Sequence, residues 1–125
     1  MDRRSNDETA MMDFRDLDAL HSAHDLVVEI HDISQSFDAD DGFGVSNAIA
    51  RTALSIPRAI ANGCGHGETE ALAHAVHTAA AQTSELEYLM LLANEIGLVD
   101  EETLAEVVGR IEEVKGRLQE TLKDL

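Results

Sequence analysis

Paired histidines are the residues of this sequence whose spacing could support metal chemistry. His21 and His24 are three residues apart in one apolar-periodic segment, and His74 and His77 repeat that spacing in another. Imidazoles one turn apart on two facing helices can bind zinc, copper or iron, and Glu70, one turn before His74, could add a carboxylate. These residues support the hypothesis of a metal-binding or oxidative helical bundle.

The same segments lack the pattern of di-iron helical bundles. That pattern places a glutamate three residues before a histidine on paired helices. Here Ala71 stands three residues before His74, and only His21 has an acid, Asp18, at that distance. Ordinary surface or core histidines account for these residues better, and we predict no bound metal or other cofactor.

A glycine-rich segment, residues 63–67, contains Cys64 and His66 and precedes a predicted helix. Its backbone amides could bind a phosphate, but Glu68 and Glu70 would repel an anion there. A lone Cys-x-His pair also lacks the further ligands of a zinc site. We interpret the segment as a flexible connection and Cys64 as structural or incidental. With no supported nucleophile and base, we predict that the protein is not an enzyme.

Four arginines form two pairs, each with a spacing of seven residues: Arg51 with Arg58, and Arg110 with Arg117. Residues at this spacing project from one side of a helix, so each pair could form a basic stripe that contacts phosphates. The alternative is ion pairing within or between subunits, which the many acidic side chains favour. Arg51 and Arg58 are our candidate contacts for nucleic acid or a partner protein.

An acidic excess dominates the composition. The chain of 125 residues has 25 acidic and 9 basic side chains, a net charge of -16, and its lysines are Lys115 and Lys123. We interpret the acids as spread over all the helices. Because molar salt shortens the screening length to about 3 Å, such a surface is typical of halophilic adaptation. An acidic module that binds a basic partner is the alternative.

The hydrophobic composition indicates a helical, cytoplasmic protein. Hydrophobic residues make up 44% of the chain but aromatic residues only 3%, so the core must be aliphatic and favours closely packed helices. Cys64 is the single cysteine, which excludes an intrachain disulfide. No segment reads as a signal peptide or reaches the roughly 18 apolar residues of a membrane span. We therefore expect a cytoplasmic protein that does not enter a membrane.

Apolar periodicity predicts an all-α, antiparallel up-and-down four-helix bundle. A mobile tail over residues 1–12 precedes a bundle domain over 13–125, with helices near 16–37, 45–62, 68–96 and 100–125. Pro57 predicts a kink in the second helix. Gly97 and Asp100 are expected to cap the end of the third helix and the start of the fourth.

Two helix faces carry further predictions. The buried face of the first helix should combine two neighbouring stripes: Leu17, Leu20, His24, Val27 and His31, and Leu26, Ile30, Ile33 and Phe37. The third helix is alanine-rich on several sides over residues 71–81, so some alanines must face outward. Ala73 and Ala80 are our candidate contacts with a neighbouring subunit, because small residues let helices approach closely.

Several motifs resemble one known family. They include Phe14-Arg15-Asp16-Leu17, Ala23-His24-Asp25-Leu26-Val27-Val28-Glu29-Ile30, Ser84-Glu85-Leu86-Glu87 and, above all, Arg51-Thr52-Ala53-Leu54-Ser55-Ile56-Pro57. In these motifs the chain resembles the four-helix-bundle family of the 23S ribosomal RNA intervening-sequence proteins. The similarity spans residues 14–125.

The resemblance implies a homopentamer about a central channel and no enzymatic activity. The family includes accessory proteins of diversity-generating retroelements, which bind a reverse transcriptase and nucleic acid. We therefore expect an oligomeric binding or scaffold protein that associates with itself and with RNA or a nucleic-acid-processing partner. This sequence has Asn62 where the family usually has glutamate, and it lacks the basic surface of the retroelement proteins.

Overall fold

The computed structural model describes residues 13–37 and 44–125, and all regular structure in these ranges is helical. A short 3-10 helix, Phe14–Asp16, precedes α1 (Asp18–Ser34), α2 (Val45–His66), α3 (Thr69–Glu95) and α4 (Glu101–Asp124). The predicted all-α class with four helices is therefore confirmed for the described residues. The predicted tail, residues 1–12, lies outside these ranges. None of the helices described is both long and apolar enough to cross a membrane.

Side chains and a glycine cap several of the helix ends. The Asp13 carboxylate accepts a hydrogen bond from the Arg15 amide at 2.9 Å, which fixes the 3-10 helix before α1. Asp100 accepts one from the Thr103 amide at 2.8 Å, and this bond holds the pKa of the Asp100 carboxyl below its usual value. Gly97 follows α3 with φ of +84°, which glycine adopts without strain. Both predicted caps are confirmed.

Helix α2 passes through Gly63 and ends at His66, beyond its predicted end. Its left-handed cap is Gly67, with φ of +75°. The prediction of a flexible connection over this glycine-rich segment is therefore wrong. Gly63 is buried, and a Cβ built on it would collide with the Cβ of Ala75 on α3. The absence of a side chain at Gly63 lets α2 and α3 approach closely.

Pro57 lies within α2, and the helix continues past it. Proline has no amide hydrogen, so the Ala53 carbonyl loses its usual helical donor. Ser55 does not replace this donor, because its hydroxyl donates instead to the Thr52 carbonyl at 2.7 Å. A kink at this point stays a prediction.

The four helices enclose one aliphatic core. Helix α2 packs most extensively on α3, α1 packs on α2 and α4, and α4 also packs on α3. Each helix therefore has two neighbours, as in a bundle. The largest fully buried side chains are Leu26, Ile30, Ile49, Ile56, Ile60, Leu86, Met90, Ile111, Leu118, Val76, Val107 and Val114.

The first predicted stripe of α1 is wrong in part. His24 and His31 are exposed, and the apolar members of that stripe are only half-buried at the margin of the core. The buried face lies to the other side and consists of Ala19, Ala23, Leu26 and Ile30, with Ser22 at its edge. Ala19 and Ala23 let α1 approach its neighbours closely at one end of this face, while Leu26 and Ile30 fill the core at the other.

Candidate interaction surface on helices α2 and α3

The predicted metal ligands do not come together. His21, His24, His74 and His77 are all exposed, and Nε2 of His21 lies 2.6 Å from the backbone carbonyl oxygen of Arg15. Within residues 13–37 and 44–125, no three histidine, cysteine, aspartate or glutamate side chains are placed to hold a metal ion. The arrangement therefore gives no support to a metal-binding or oxidative bundle.

A groove of about 190 Å³ lies between α2 and α3 near their connection. Small side chains line much of it, which follows from the close approach at Gly63. Its polar groups are the imidazoles of His66 and His74, the amide of Asn62 and the hydroxyl of Thr78. The lining contains no carboxylate, so the groove offers a hard cation only neutral oxygens and no charge to balance its own.

Cys64 is buried at the end of α2. Burial raises the pKa of its thiol, and the Asp13 carboxylate raises it further. A thiol held in its protonated form is a poor nucleophile and a poor metal ligand. The geometry thus agrees with the structural role predicted for Cys64.

The arginines of α4 have partners within the chain. Arg110 Nε lies 2.6 Å from Glu29 Oε1 on α1, and Arg117 Nη1 lies 3.3 Å from Glu120 Oε1 on its own helix. For this pair of arginines the ion-pair interpretation is confirmed. Their charges are already matched, so they do not form a free basic stripe.

Arg51 and Arg58 differ, because no acidic side chain among the described residues pairs with either of them. Both are exposed on α2, and Leu54 lies between them at helical spacing with 47% of its surface exposed. These three residues are named the α2 strip. The strip offers two guanidinium groups around an aliphatic side chain.

The acidic residues are distributed unevenly, so the prediction that they occur on all helices is wrong. Helix α2 contains no aspartate or glutamate, and residues 71–84 of α3 contain none either. Helix α4 alone carries Glu101, Glu102, Glu106, Glu112, Glu113, Glu120 and Asp124. This segregation explains why Arg51 and Arg58 have no acidic partner within residues 13–37 and 44–125.

A second exposed strip lies on the later half of α3. Tyr88 and Leu91 are 62% and 50% exposed, the highest values among the large hydrophobic residues described. Glu85 and Glu95 flank them, are exposed, and form no ion pair with any described residue. These four residues are named the α3 strip. Sequence reasoning missed it, although the 85, 88, 91 and 95 spacing places all four on one helical side.

The predicted interface alanines are less exposed than expected. Ala73 is half-buried, and Ala80 is half-buried and packs on the core of its own chain. Ala75 and Ala79 are buried, whereas Ala81 is exposed. An interface role for Ala73 and Ala80 stays a prediction, and the larger apolar side chains of the α3 strip offer more area for contact.

Comparison with known proteins adds a family to this geometry. A search of curated proteins gives no match. The family model for the 23S rRNA-intervening sequence protein matches residues 15–120, which include the greater part of α4 and the whole of α1, α2 and α3. The chain therefore belongs to the family of 23S rRNA-intervening sequence proteins.

Proposed function

We propose that this protein is a non-enzymatic, oligomeric binding or scaffold protein that associates with RNA or with a nucleic-acid-processing partner. The observation that carries the proposal is the α2 strip, whose two arginines form no ion pair with any described residue of a chain of net charge -16. Guanidinium groups bind carboxylates and phosphates through paired hydrogen bonds. The strip is therefore suited to an anionic group on another molecule, and family membership supports the link to RNA.

The proposed assembly is a closed ring of antiparallel up-and-down bundles in the cytoplasm. Only Gly67 and Glu68 connect α2 to α3, and such a short connection favours antiparallel neighbours. The number of subunits, five, comes from the resemblance described above. Ala73, half-buried on α3, remains a candidate for the subunit contact.

The first test measures self-association and RNA binding together. Light scattering gives the mass of the wild-type chain, and fluorescence anisotropy reports its binding to a labelled 23S rRNA transcript. We expect the R51E/R58E variant to weaken self-association or RNA binding at least tenfold, because the strip then repels anionic groups.

The matched control is R15E/K123E, which makes the same charge change at two exposed residues outside the strip. It should leave both readouts near the wild-type values. A wild-type chain that is monomeric and does not bind RNA would contradict the proposed function. So would an R51E/R58E variant that matches the wild type in both assays.

The acidic excess is proposed to be halophilic adaptation, and salt tests this directly. The electrostatic screening length falls to about 3 Å in molar salt, which relieves repulsion among the carboxylates. We expect helicity and melting temperature to rise as KCl increases from dilute to molar. Circular dichroism follows both quantities, and constant or falling stability would favour a basic partner protein over salt adaptation.

A further inference from the structure

We propose that the α2 strip of one protomer docks on the α3 strip of a second copy of this chain. The inference rests on the proposed function, since it names the anionic group that Arg51 and Arg58 contact. That group is the carboxylate pair of Glu85 and Glu95 on the neighbouring copy.

The two strips are complementary in charge and in apolar content. The α2 strip places Leu54 between two arginines, and the α3 strip places Tyr88 and Leu91 between two glutamates. At 1.5 Å per residue the arginines are about 10 Å apart along α2 and the glutamates about 15 Å apart along α3. Each arginine therefore has to reach outward by only about 2–3 Å, which its long side chain permits.

Both strips are free to be occupied at once. The α3 strip lies on the outer face of its helix, since all four of its residues are exposed. The groove that α3 shares with α2 is lined by Ala71, His74, Ala75 and Thr78 near the start of α3, and Glu85 follows seven residues after Thr78, about 10 Å further along the helix. A chain can therefore present its two strips to two different neighbours.

A second copy fits the α2 strip better than RNA does. Two arginines can neutralise only about two phosphates, and log affinity for nucleic acid scales with the number neutralised. The surrounding net charge of -16 repels a polyanion. A half-exposed leucine gains nothing from a phosphate, whereas contact with Tyr88 and Leu91 would cover exposed apolar surface on both partners.

Contact between two different surfaces of identical chains is a heterologous interface. Such an interface generates a ring when the rotation between subunits closes, and a filament when it does not. The apolar centre also explains how the contact would persist in high salt, where the flanking ion pairs are screened. When the rotation closes, this pairing builds the proposed ring scaffold without contact between like-charged strips.

Charge exchange between the strips tests the pairing. R51E/R58E and E85R/E95R should each reduce self-association at least tenfold, because each creates two strips of like charge. The combined variant R51E/R58E/E85R/E95R restores opposite charges and should regain the wild-type mass. Light scattering is performed at the lowest salt at which circular dichroism shows the wild type fully folded, with R15E/K123E as the charge-matched control.

Three results would overturn the pairing. The first is a fourfold variant that does not reassemble. The second is an E85R/E95R variant that keeps the wild-type mass. The third is an R51E/R58E variant that loses RNA binding while it stays assembled. Circular dichroism separates each from misfolding, since all four residues are exposed. A wild-type chain that neither assembles nor binds RNA contradicts the proposed function itself. If the wild type assembles and the charge variants keep the same mass, only this pairing is contradicted.

Discussion

Replacing Gly63 with alanine is expected to lower the free energy of unfolding, although alanine usually stabilises a helix relative to glycine. The added Cβ would collide with the Cβ of Ala75, so α2 and α3 must separate. Forcing an extra group into a packed site costs about 1–3 kcal/mol, which exceeds the gain of about 0.5–1 kcal/mol in helix propensity. Urea denaturation in molar KCl, at one chain concentration, measures the difference.

Gly65 provides the matched control in the same turn of α2. It is exposed, and a Cβ at this position would meet no atom within 4 Å. Gly65→Ala should therefore stabilise the protein by about 0.5–1 kcal/mol, the opposite sign to Gly63→Ala. Ala75→Gly should recover part of the loss when combined with Gly63→Ala. Equal stabilisation by both alanine substitutions would show that α2 and α3 do not touch at Gly63.

The contrast between these glycines also shows what the sequence could predict about the helices. Gly97 and Asp100 were identified correctly as caps because local backbone chemistry decides a cap. The same local rule predicts a helix end before Gly63, yet the tertiary contact with Ala75 requires a glycine inside the helix. A single sequence does not reveal which glycine packs against another helix and which one ends its own.

The interaction surface was predictable only in part, for a related reason. The spacing of Arg51 and Arg58 identified one strip, because charged residues stand out on a helix without acids. Tyr88 and Leu91 lie in a stretch of α3 where most residues are apolar, so the periodicity has little contrast and exposed positions resemble core ones. Only the packing of α3 between α2 and α4 shows which apolar side chains remain outside.

Charge segregation is the property that links the fold to the proposed assembly. A net charge of -16 opposes any contact between copies, unless the surfaces that meet avoid the bulk of the carboxylates. Helix α2 meets this condition because it has no acidic residue, and the bundle keeps it apart from α4, with which it makes no helix packing in the described residues. The overall composition does not reveal this uneven distribution of charge, because it averages a helix without acidic residues with strongly acidic ones.

Two substitutions on α2 should separate folding from assembly. Ile56 is fully buried, whereas Leu54, two residues earlier, is 47% exposed within the α2 strip. Ile56→Ala removes core packing and should cost about 2–5 kcal/mol of unfolding free energy at every chain concentration. Leu54→Ala removes little intrachain packing, so its cost should be small in dilute protein and should grow with chain concentration as the wild type assembles.

Denaturation over a hundredfold range of chain concentration, with light scattering of the same samples, distinguishes the two effects. Ile56→Ala should lower stability by the same amount throughout while the folded fraction keeps its ability to assemble. Leu54→Ala should instead reduce the assembled mass of a fully helical chain. If both substitutions cost the same at all concentrations and leave the mass unchanged, Leu54 belongs to the core of its own bundle. The α2 strip would then have no role as an interface.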